Sequence, residues 1–247
     1  MLLGDPQQLE QPQQGCHPEG TDVSALEHIL AGQETIPDDR GIFLPETWRL
    51  APNICAFTSE VFYDGRLVSR PENEMQRLNA KGTLDGTGLR FAPVNHSGNQ
   101  SESPEEVRRV VELVDALLRD GTTWTNKKEE VAPLLLKNIL IVAPYNAQVS
   151  ALAQSLPAGA RVGTVDKFQG QEAPIVIYSM TTSTPENAPR GMEFLYSSNR
   201  LNVATSRAQC VTVLVASPAL FDVQCKTPRQ IELANAFCRY LEMAQVV

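Results

Sequence analysis

The feature that most constrains the fold is an alternation of largely apolar, strand-like segments with segments of helical periodicity over residues 139–243. The run Ile139–Ala143 is continuously apolar, and Val162–Val165, Ile175–Met180 and Val211–Ala216 are the other predicted strands. Strands without polar alternation are buried on both faces, and strands separated by helices pair in parallel. The sequence therefore predicts an α/β fold: a parallel sheet with helices on both faces.

The helices between and around these strands are marked by apolar spacing and by caps. The predicted helical segments are Pro52–Phe62, Gln148–Leu156, Leu201–Ala208 and Arg229–Met243. A further helix begins at Ser103-Pro104-Glu105-Glu106 and ends at Gly121, because serine caps, proline fits the first turn and glycine terminates. Ligands in such sheets bind at the carboxyl ends of strands. Ala143–Gln148, Thr164–Glu172 and the turn after Met180 are expected there.

The first half of the chain gives weaker signals. A short helix capped by Asp22 or Ser24 is expected to end at Gly32, and Ile42–Leu44 suits a short buried strand. Residues 69–104 are rich in Gly, Pro, Asn and Ser. They are predicted to be an irregular insertion or connector with one strand at Leu89–Val94. Thr122–Leu136 fits no single element.

Composition narrows the class of protein. The chain has 247 residues, 42% of them hydrophobic, and a net charge of −8. No apolar run reaches the roughly 18 residues that span a bilayer and no leader pattern opens the chain, so no membrane partner is expected. Five scattered cysteines and three dispersed histidines predict neither a disulfide framework nor a metal site, and favour a cytoplasmic, reducing compartment.

Four stretches carry the information on function. In chain order they are LLGDPQQL (Leu2–Leu9), ETWRLAPNICAFTSEVFYDGRL (Glu46–Leu67), VGTVDKFQGQEAPIVIYSM (Val162–Met180) and NRLNVATSRAQ (Asn199–Gln209). They closely resemble motifs III, IV, V and VI of superfamily 1 helicases, nearest the group typified by nonsense-decay and Okazaki-fragment helicases. The resemblance implies a second RecA-like domain (a fold like that of P-loop NTPases) over residues 45–247. Residues 1–44 would be the tail of a first RecA-like domain.

The resemblance implies ATP and Mg²⁺ as cofactors. The phosphate-binding loop G-x-x-x-x-G-K-[ST] and the acidic magnesium motif are not found in the sequence, and in the family both precede motif III. We therefore expect the chain to be the C-terminal part of a helicase with half an active site. Alone it is predicted to be inactive, with the Mg²⁺ site and the other helicase half upstream.

The catalytic roles follow from the same resemblance. Gln8 matches the motif III glutamine that senses the terminal phosphate and the attacking water. Arg49 and Arg207 match the two arginines that reach the γ-phosphate from the second domain, where a fixed guanidinium meets charge on the transferring group. The sequence leaves plainer alternatives open: a turn side chain for Gln8 and a surface ion pair for either arginine.

Three further residues match nucleotide contacts of the family. Trp48 stands where an aromatic ring stacks on the base, a place more often held by tyrosine, and a buried core tryptophan is the alternative. Glu172 matches the acid that contacts the ribose, and Gly170 lets the loop approach the nucleotide closely.

The remaining matches concern nucleic acid. Thr164 matches a contact to a backbone phosphate of a single strand, and Tyr145 and Gln148 lie in a segment with a strand-binding or coupling role. Asp5 and Arg200 match residues that couple the two sites. A structural role for Tyr145 and a structural salt bridge for Arg200 remain open.

Two hypotheses result. The first is the motor part of an ATP-driven helicase or translocase on single-stranded DNA or RNA, with a nuclease domain as a fusion partner found in this group. The second is a non-catalytic nucleic-acid or partner-binding module with a degenerate helicase fold. An upstream phosphate-binding loop would decide for the first.

Overall fold

The computed structural model describes residues 3–8, 23–119, 121–168 and 170–247. The helices are α1 (Ala25–Leu30), α2 (Pro52–Phe62), α3 (Pro104–Leu117), α4 (Asn146–Ser155), α5 (Gly191–Leu195), α6 (Ser198–Ser206) and α7 (Pro228–Met243). The strands are β1 (Glu46–Thr47), β2 (Val68–Ser69), β3 (Arg77–Asn79), β4 (Gly88–Pro93), β5 (Thr123–Thr125), β6 (Val131–Pro133), β7 (Ile139–Val142), β8 (Arg161–Gly163), β9 (Ala173–Ser179), β10 (Ala208–Ala216) and β11 (Gln245–Val246). Motif residues Leu2, Leu9 and Gln169, the thiol of Cys16 and the alternative cap Asp22 lie outside the described residues.

The main sheet has six strands in the order β11-β4-β10-β9-β7-β8, and every pair in it is parallel. All seven residues of β9 are buried, as are all four of β7. Burial of every residue in a strand requires a helical layer on each side. The predicted α/β fold with a parallel sheet is confirmed.

Alternate residues of the central strand enter different core layers. Val176 and Tyr178 pack in one layer with Phe57 of α2 and Phe237 of α7. Ile175 and Ile177 pack in the other layer, with side chains of α3 and α4. This division follows from the two-residue period of a strand, which sends neighbouring side chains to opposite faces. Helices therefore cover both faces of the sheet.

Two helices begin where the sequence predicts. The Ser24 hydroxyl accepts a hydrogen bond from the Glu27 amide at 3.2 Å, and the Glu27 carboxylate accepts one from the Ser24 amide at 2.6 Å. Ser103 caps α3 in the same way, accepting from the Glu106 amide at 3.2 Å. These caps satisfy amides that have no partner within the helix. Among the helices in the described ranges, none has the length and apolar character needed to cross a membrane.

Two upstream predictions need correction. Ile42–Leu44 is not a buried strand: Ile42 is 88% exposed and Leu44 76% exposed. The strand here is β1, whose residues Glu46 and Thr47 pair in parallel with Val68 and Ser69 of β2. A short apolar segment forms a buried strand only where a neighbouring strand can pair with it.

The segment 69–104 is more regular than the sequence indicates. It contains β4, which pairs with β10 over six residues and thereby lies inside the main sheet. Its strand β3 pairs antiparallel with β5, and β5 pairs with β6, so residues of the ambiguous 122–136 region form a three-stranded sheet. The glycines and prolines here mark turns between short strands.

Candidate nucleotide site and strand-binding surface

The predicted nucleotide residues meet at the amino-terminal edge of the sheet. Glu172 directly precedes β9, Arg207 directly precedes β10, and these two strands are parallel neighbours. Arg49 lies beside them, because the amide of Ala51 donates to the carbonyl of Gln209 at 3.1 Å. The expectation that Glu172 lies at the carboxyl edge is therefore wrong. Glu172 and Arg207 each come before a strand in the chain, which places them at the edge where that strand begins.

Arg49 is held by a carboxylate and a helix end. Its Nε donates to Glu172 Oε2 at 2.6 Å, and its Nη1 donates to the Ser206 carbonyl at 3.0 Å. The Gln209 side chain donates to the other Glu172 oxygen, Oε1, at 2.9 Å. Glu172 is thus fixed from two sides. The ion pair remains open to solvent, with 28% of the Arg49 side chain and 48% of the Glu172 side chain exposed.

Arg207 lies next to this pair but is nearly enclosed, at 4% exposure. Its Nη2 donates to Gln8 Oε1 at 3.0 Å, while its buried Nε has no acceptor among the described residues. Burial lowers the pKa of Arg207, and the positive charge of Arg49 lowers it further. The structure therefore brings Gln8, Arg49 and Arg207 together and leaves a buried guanidinium donor unused.

The segment containing Gln8 is docked by a chain of polar contacts. Asp5 accepts at Oδ2 from Gln8 Nε2 at 2.7 Å and from the Tyr63 hydroxyl at 2.5 Å. Asn202 donates to that Tyr63 oxygen at 3.0 Å and to the Gln7 carbonyl at 2.8 Å. Asp5 therefore connects the segment to α2 and α6. Tyr63 and Asn202 stand inside the quoted motifs, yet sequence reasoning gave them no role.

Trp48 is on the surface, with 61% of its area exposed, so the alternative of a core tryptophan does not hold. The Arg70 guanidinium lies 3.6 Å from the centre of the indole ring, and Lys127 Nζ donates to the Trp48 carbonyl at 3.0 Å. Gly170 takes a φ of +79°, a conformation that favours glycine, and a Cβ there would meet nothing within 4 Å. The backbone conformation is thus by itself a reason for glycine here, and the close approach of this loop to a nucleotide stays a prediction.

Two buried amides position the residues around Trp48, and sequence reasoning missed both. Asn73 Nδ2 donates to the Thr47 carbonyl at 2.9 Å, and Gln76 Nε2 donates to the Arg49 carbonyl at 2.7 Å. Asn73 is fully buried and Gln76 is 2% exposed. The two amides thus fix the backbone carbonyls of the residues directly before and after Trp48. No local pattern could have identified them, since each acts on a carbonyl 26 or 27 residues away.

Of the three predicted strand-binding residues, Thr164 is partly exposed, whereas Gln148 is buried and Tyr145, at 7% exposure, packs in the core, as the structural alternative for it requires. Thr164 directly follows β8 and Tyr145 follows β7, so both lie at the carboxyl edge of adjacent parallel strands. Gln148 is fully buried. Its Oε1 accepts from the Ser103 amide at 2.8 Å and its Nε2 donates to the Ser179 hydroxyl at 2.9 Å. The interpretation of Gln148 as a nucleic-acid contact is corrected: its amide joins α4 to α3 and β9.

Arg200 forms no salt bridge within the described residues, so the structural ion pair considered for it is not present there. Its guanidinium instead lies 4.1 Å from the centre of the Phe194 ring. This contact also belongs to the carboxyl edge, because Phe194 packs against Tyr145 with ring centres 5.5 Å apart.

A separate polar network is buried behind the same edge. His96 contacts Ser183 Oγ through Nδ1 at 2.7 Å and Glu106 Oε1 through Nε2 at 3.0 Å. The other Glu106 oxygen accepts from the Ser179 hydroxyl at 2.6 Å and from the Thr181 amide at 2.8 Å. The side chains of His96 and Glu106 are fully enclosed. The network fixes the start of α3 to the end of β9 and has no access to a substrate.

Possible metal ligands are dispersed over the described residues. In the ranges that the structure describes, no group of three or more His, Cys, Asp or Glu side chains is arranged to hold a metal ion. The carboxylate at the nucleotide site, Glu172, is already bonded to Arg49 and Gln209. The described residues therefore do not fit a Mg²⁺ site.

Comparison with known proteins agrees with the motifs. A family model, AAA_12, described as an AAA domain, matches residues 21–219, which is most of the chain. The chain is 28% identical to the probable RNA helicase armi of Drosophila melanogaster over 90% of its own length and 21% of that protein. It is 29% identical to the DNA polymerase alpha-associated DNA helicase A of Schizosaccharomyces pombe, over 84% of the chain and 32% of that protein.

A third relative is the regulator of nonsense transcripts 1 homolog of Arabidopsis thaliana, 28% identical over 74% of the chain and 15% of that protein. The chain thus spans a third or less of the length of each of these relatives. The AAA domain match, the relatives and the ordered motifs lead to one conclusion: the chain belongs to the superfamily 1 helicases, as a C-terminal helicase domain with an α/β fold.

Proposed function

We propose that this chain is the C-terminal motor part of an ATP-dependent superfamily 1 helicase or translocase that acts on single-stranded DNA or RNA. The observation that carries this proposal is the meeting of Gln8, Arg49 and Arg207 at one edge of the sheet. Two guanidiniums are held beside the same helix end although like charges repel, and of the two only Arg49 has a carboxylate partner among the residues that the structure describes. Such an arrangement is suited to an anion that enters between them.

The donor Nε of Arg207 bears on whether a nucleotide fits this site. The Nε of Arg207 is buried and meets no acceptor in the described part of the chain, and an unsatisfied buried donor costs about 1–3 kcal/mol. A phosphate oxygen placed there would relieve that cost and receive a charge-assisted hydrogen bond. The residues present therefore fit the terminal phosphates of ATP.

When bound, ATP supplies a terminal phosphoryl group whose transfer to water releases the free energy used for movement. Arg207 and Arg49 donate to oxygens where charge spreads during that transfer. Gln8, as a neutral amide, can both accept from Arg207 and donate toward water. Trp48 offers an exposed aromatic face to a base, and Glu172 holds Arg49 or accepts from a ribose hydroxyl. The phosphate-binding loop and the Mg²⁺ ligands are contributed by another part of the motor.

Anion binding by the 247-residue chain tests the site directly. We expect ATP, without added metal, to bind wild type and to bind Arg207→Gln about 10- to 100-fold more weakly, since a charge-assisted hydrogen bond contributes about 1.5–3 kcal/mol. Isothermal titration calorimetry measures this. Arg108→Gln is the matched control, because Arg108 is exposed on α3 and forms no salt bridge within the described chain. Equal affinity of the Arg207 and Arg108 variants would remove the site.

Turnover provides the second test. With single-stranded DNA and Mg²⁺ present, we expect phosphate release by the chain alone far below the ordinary enzymatic range of about 1–10³ s⁻¹. Release near 1 s⁻¹ would contradict the proposed division of the motor. In a longer chain that carries a phosphate-binding loop, alanine at Arg49 or Arg207 is expected to lower turnover by about 10³–10⁵, with a smaller effect on nucleotide binding.

A further inference from the structure

An unusual group of side chains lies at the carboxyl edge of the sheet, around Phe194 of α5. Two guanidiniums contact its ring: Arg190 Cζ is 3.8 Å and Arg200 Cζ is 4.1 Å from the ring centre. The ring of Tyr145 packs against Phe194 at 5.5 Å with an angle of 34° between the planes. We call these four residues the arginine–aromatic cluster.

The two arginines of the cluster have no partner of opposite charge among the residues that the structure places. Within the described residues, neither side chain forms a salt bridge or donates a hydrogen bond, although the protein has a net charge of −8. By contrast, Arg229 and Arg239 each pair with two glutamates. A cation on an exposed ring gains only about 0.5–1 kcal/mol. The N–H groups of Arg190 and Arg200 therefore remain available to a ligand.

The position of the cluster separates it from the nucleotide site. Tyr145 follows β7, whereas Glu172 and Arg207 precede β9 and β10, so the two sites lie at opposite edges of one parallel sheet. Thr164 follows β8, the neighbour of β7, and so lies at the same edge as the cluster. A ligand at this edge would not compete with nucleotide.

We propose that Arg190 and Arg200 bind backbone phosphates of a single-stranded nucleic acid, with Phe194 and Tyr145 holding the two guanidiniums in place. This inference rests on the proposed function. It assigns a strand contact to Arg190, which no motif singled out, and another to Arg200, which the motifs matched to a coupling role. Guanidiniums suit phosphate because their donors form a planar fork. Since both already lie on the Phe194 ring, the aromatic group positions cations instead of stacking on bases. Binding through this cluster is therefore independent of base identity.

Salt dependence of strand binding tests the proposal. Fluorescence anisotropy with a labelled oligothymidine and with an abasic oligomer of equal length is measured for the 247-residue chain from low to moderate salt. Each phosphate contact on a single strand adds about 0.7 to the slope of log K against log salt. We expect the Arg190→Gln, Arg200→Gln double variant to lose about 1.4 from that slope, and equally for both oligomers. Arg108→Gln is the control and should keep the wild-type slope.

Folding is checked by circular dichroism and urea unfolding, and the single variant Arg190→Gln, at an exposed position, serves if the double variant is unstable. It should lose about 0.7 from the slope. If wild type binds and the variants keep its slope, the cluster is not the contact, while the proposed function stands. If binding to the abasic oligomer is unaffected by the substitutions, the contact is to bases, and the phosphate assignment fails. Absence of any strand binding by wild type would contradict both this inference and the nucleic-acid part of the proposed function.

Discussion

Replacing Glu106 by alanine tests how strongly the buried network holds the end of β9. In the native protein its carboxylate accepts from the Ser179 hydroxyl and the Thr181 amide and contacts His96, and all these groups are buried. Alanine leaves them without a partner. Each orphaned group costs about 1–3 kcal/mol, and breaking a buried pair typically costs about 3–5 kcal/mol.

We therefore expect Glu106→Ala to lose about 3–5 kcal/mol of unfolding free energy. For a chain of this length that corresponds to a fall of about 10 °C in Tm. Urea unfolding followed by circular dichroism measures the loss. Glu106→Gln keeps the shape and one carbonyl acceptor for Ser179 and Thr181, so its loss should be about 1 kcal/mol.

The pH dependence gives a second readout of the same side chain. Burial raises the pKa of Glu106, although hydrogen bonds from His96, Ser179 and Thr181 oppose the rise. A raised pKa in the folded state means that the native protein binds more protons than the unfolded chain. The stability of wild type relative to Glu106→Gln should thus be greatest below the unfolded pKa of about 4.3 and fall as pH rises above it.

Glu102→Ala is the control for both measurements, since Glu102 is exposed one residue before the Ser103 cap of α3. Its effect should stay within about 0.5 kcal/mol. If Glu106→Ala and Glu102→Ala unfold at the same urea concentration, the network does not hold β9 to α3. A difference between wild type and Glu106→Gln that grows with pH would refute the burial argument.

Two further predictions follow from buried groups. Gln76→Leu removes the only donor to the Arg49 carbonyl within the described structure, so it should lower the free energy of unfolding in urea by about 1–3 kcal/mol. It should also weaken ATP binding, because Arg49 would be misplaced. Unchanged affinity for ATP would limit Gln76 to a role in stability. Burial raises the pKa of Cys55 to about 11 and of Cys210 to about 12. Iodoacetamide at pH 8 should therefore alkylate the less buried Cys225 faster than either, which mass spectrometry of tryptic peptides measures. Faster labelling of Cys210 would contradict its buried position in β10.

Much of the fold could be predicted from local sequence because strands and helices have different apolar periods. The largely apolar segment Ile175–Met180 and the cap at Ser103 each predicted an element that the structure contains. The same local rules failed at Ile42–Leu44, where an apolar run found no neighbouring strand and stayed exposed. They also missed that β4 lies inside the main sheet, between β11 and β10, since strand order depends on packing between distant segments.

The candidate site was likewise predicted only in part from the sequence. The motifs predicted that Arg49 and Arg207 belong together. Chain order already implied that Glu172 and Arg207 lie where β9 and β10 begin, although the carboxyl edge was expected for Glu172. Only tertiary structure showed that Gln148 is interior, because its partner Ser103 is 45 residues away. The sequence by itself thus determined the elements and the residue types near phosphate. Tertiary packing decided which polar side chains are satisfied inside and which remain open to a ligand, since burial depends on contacts that no local pattern contains.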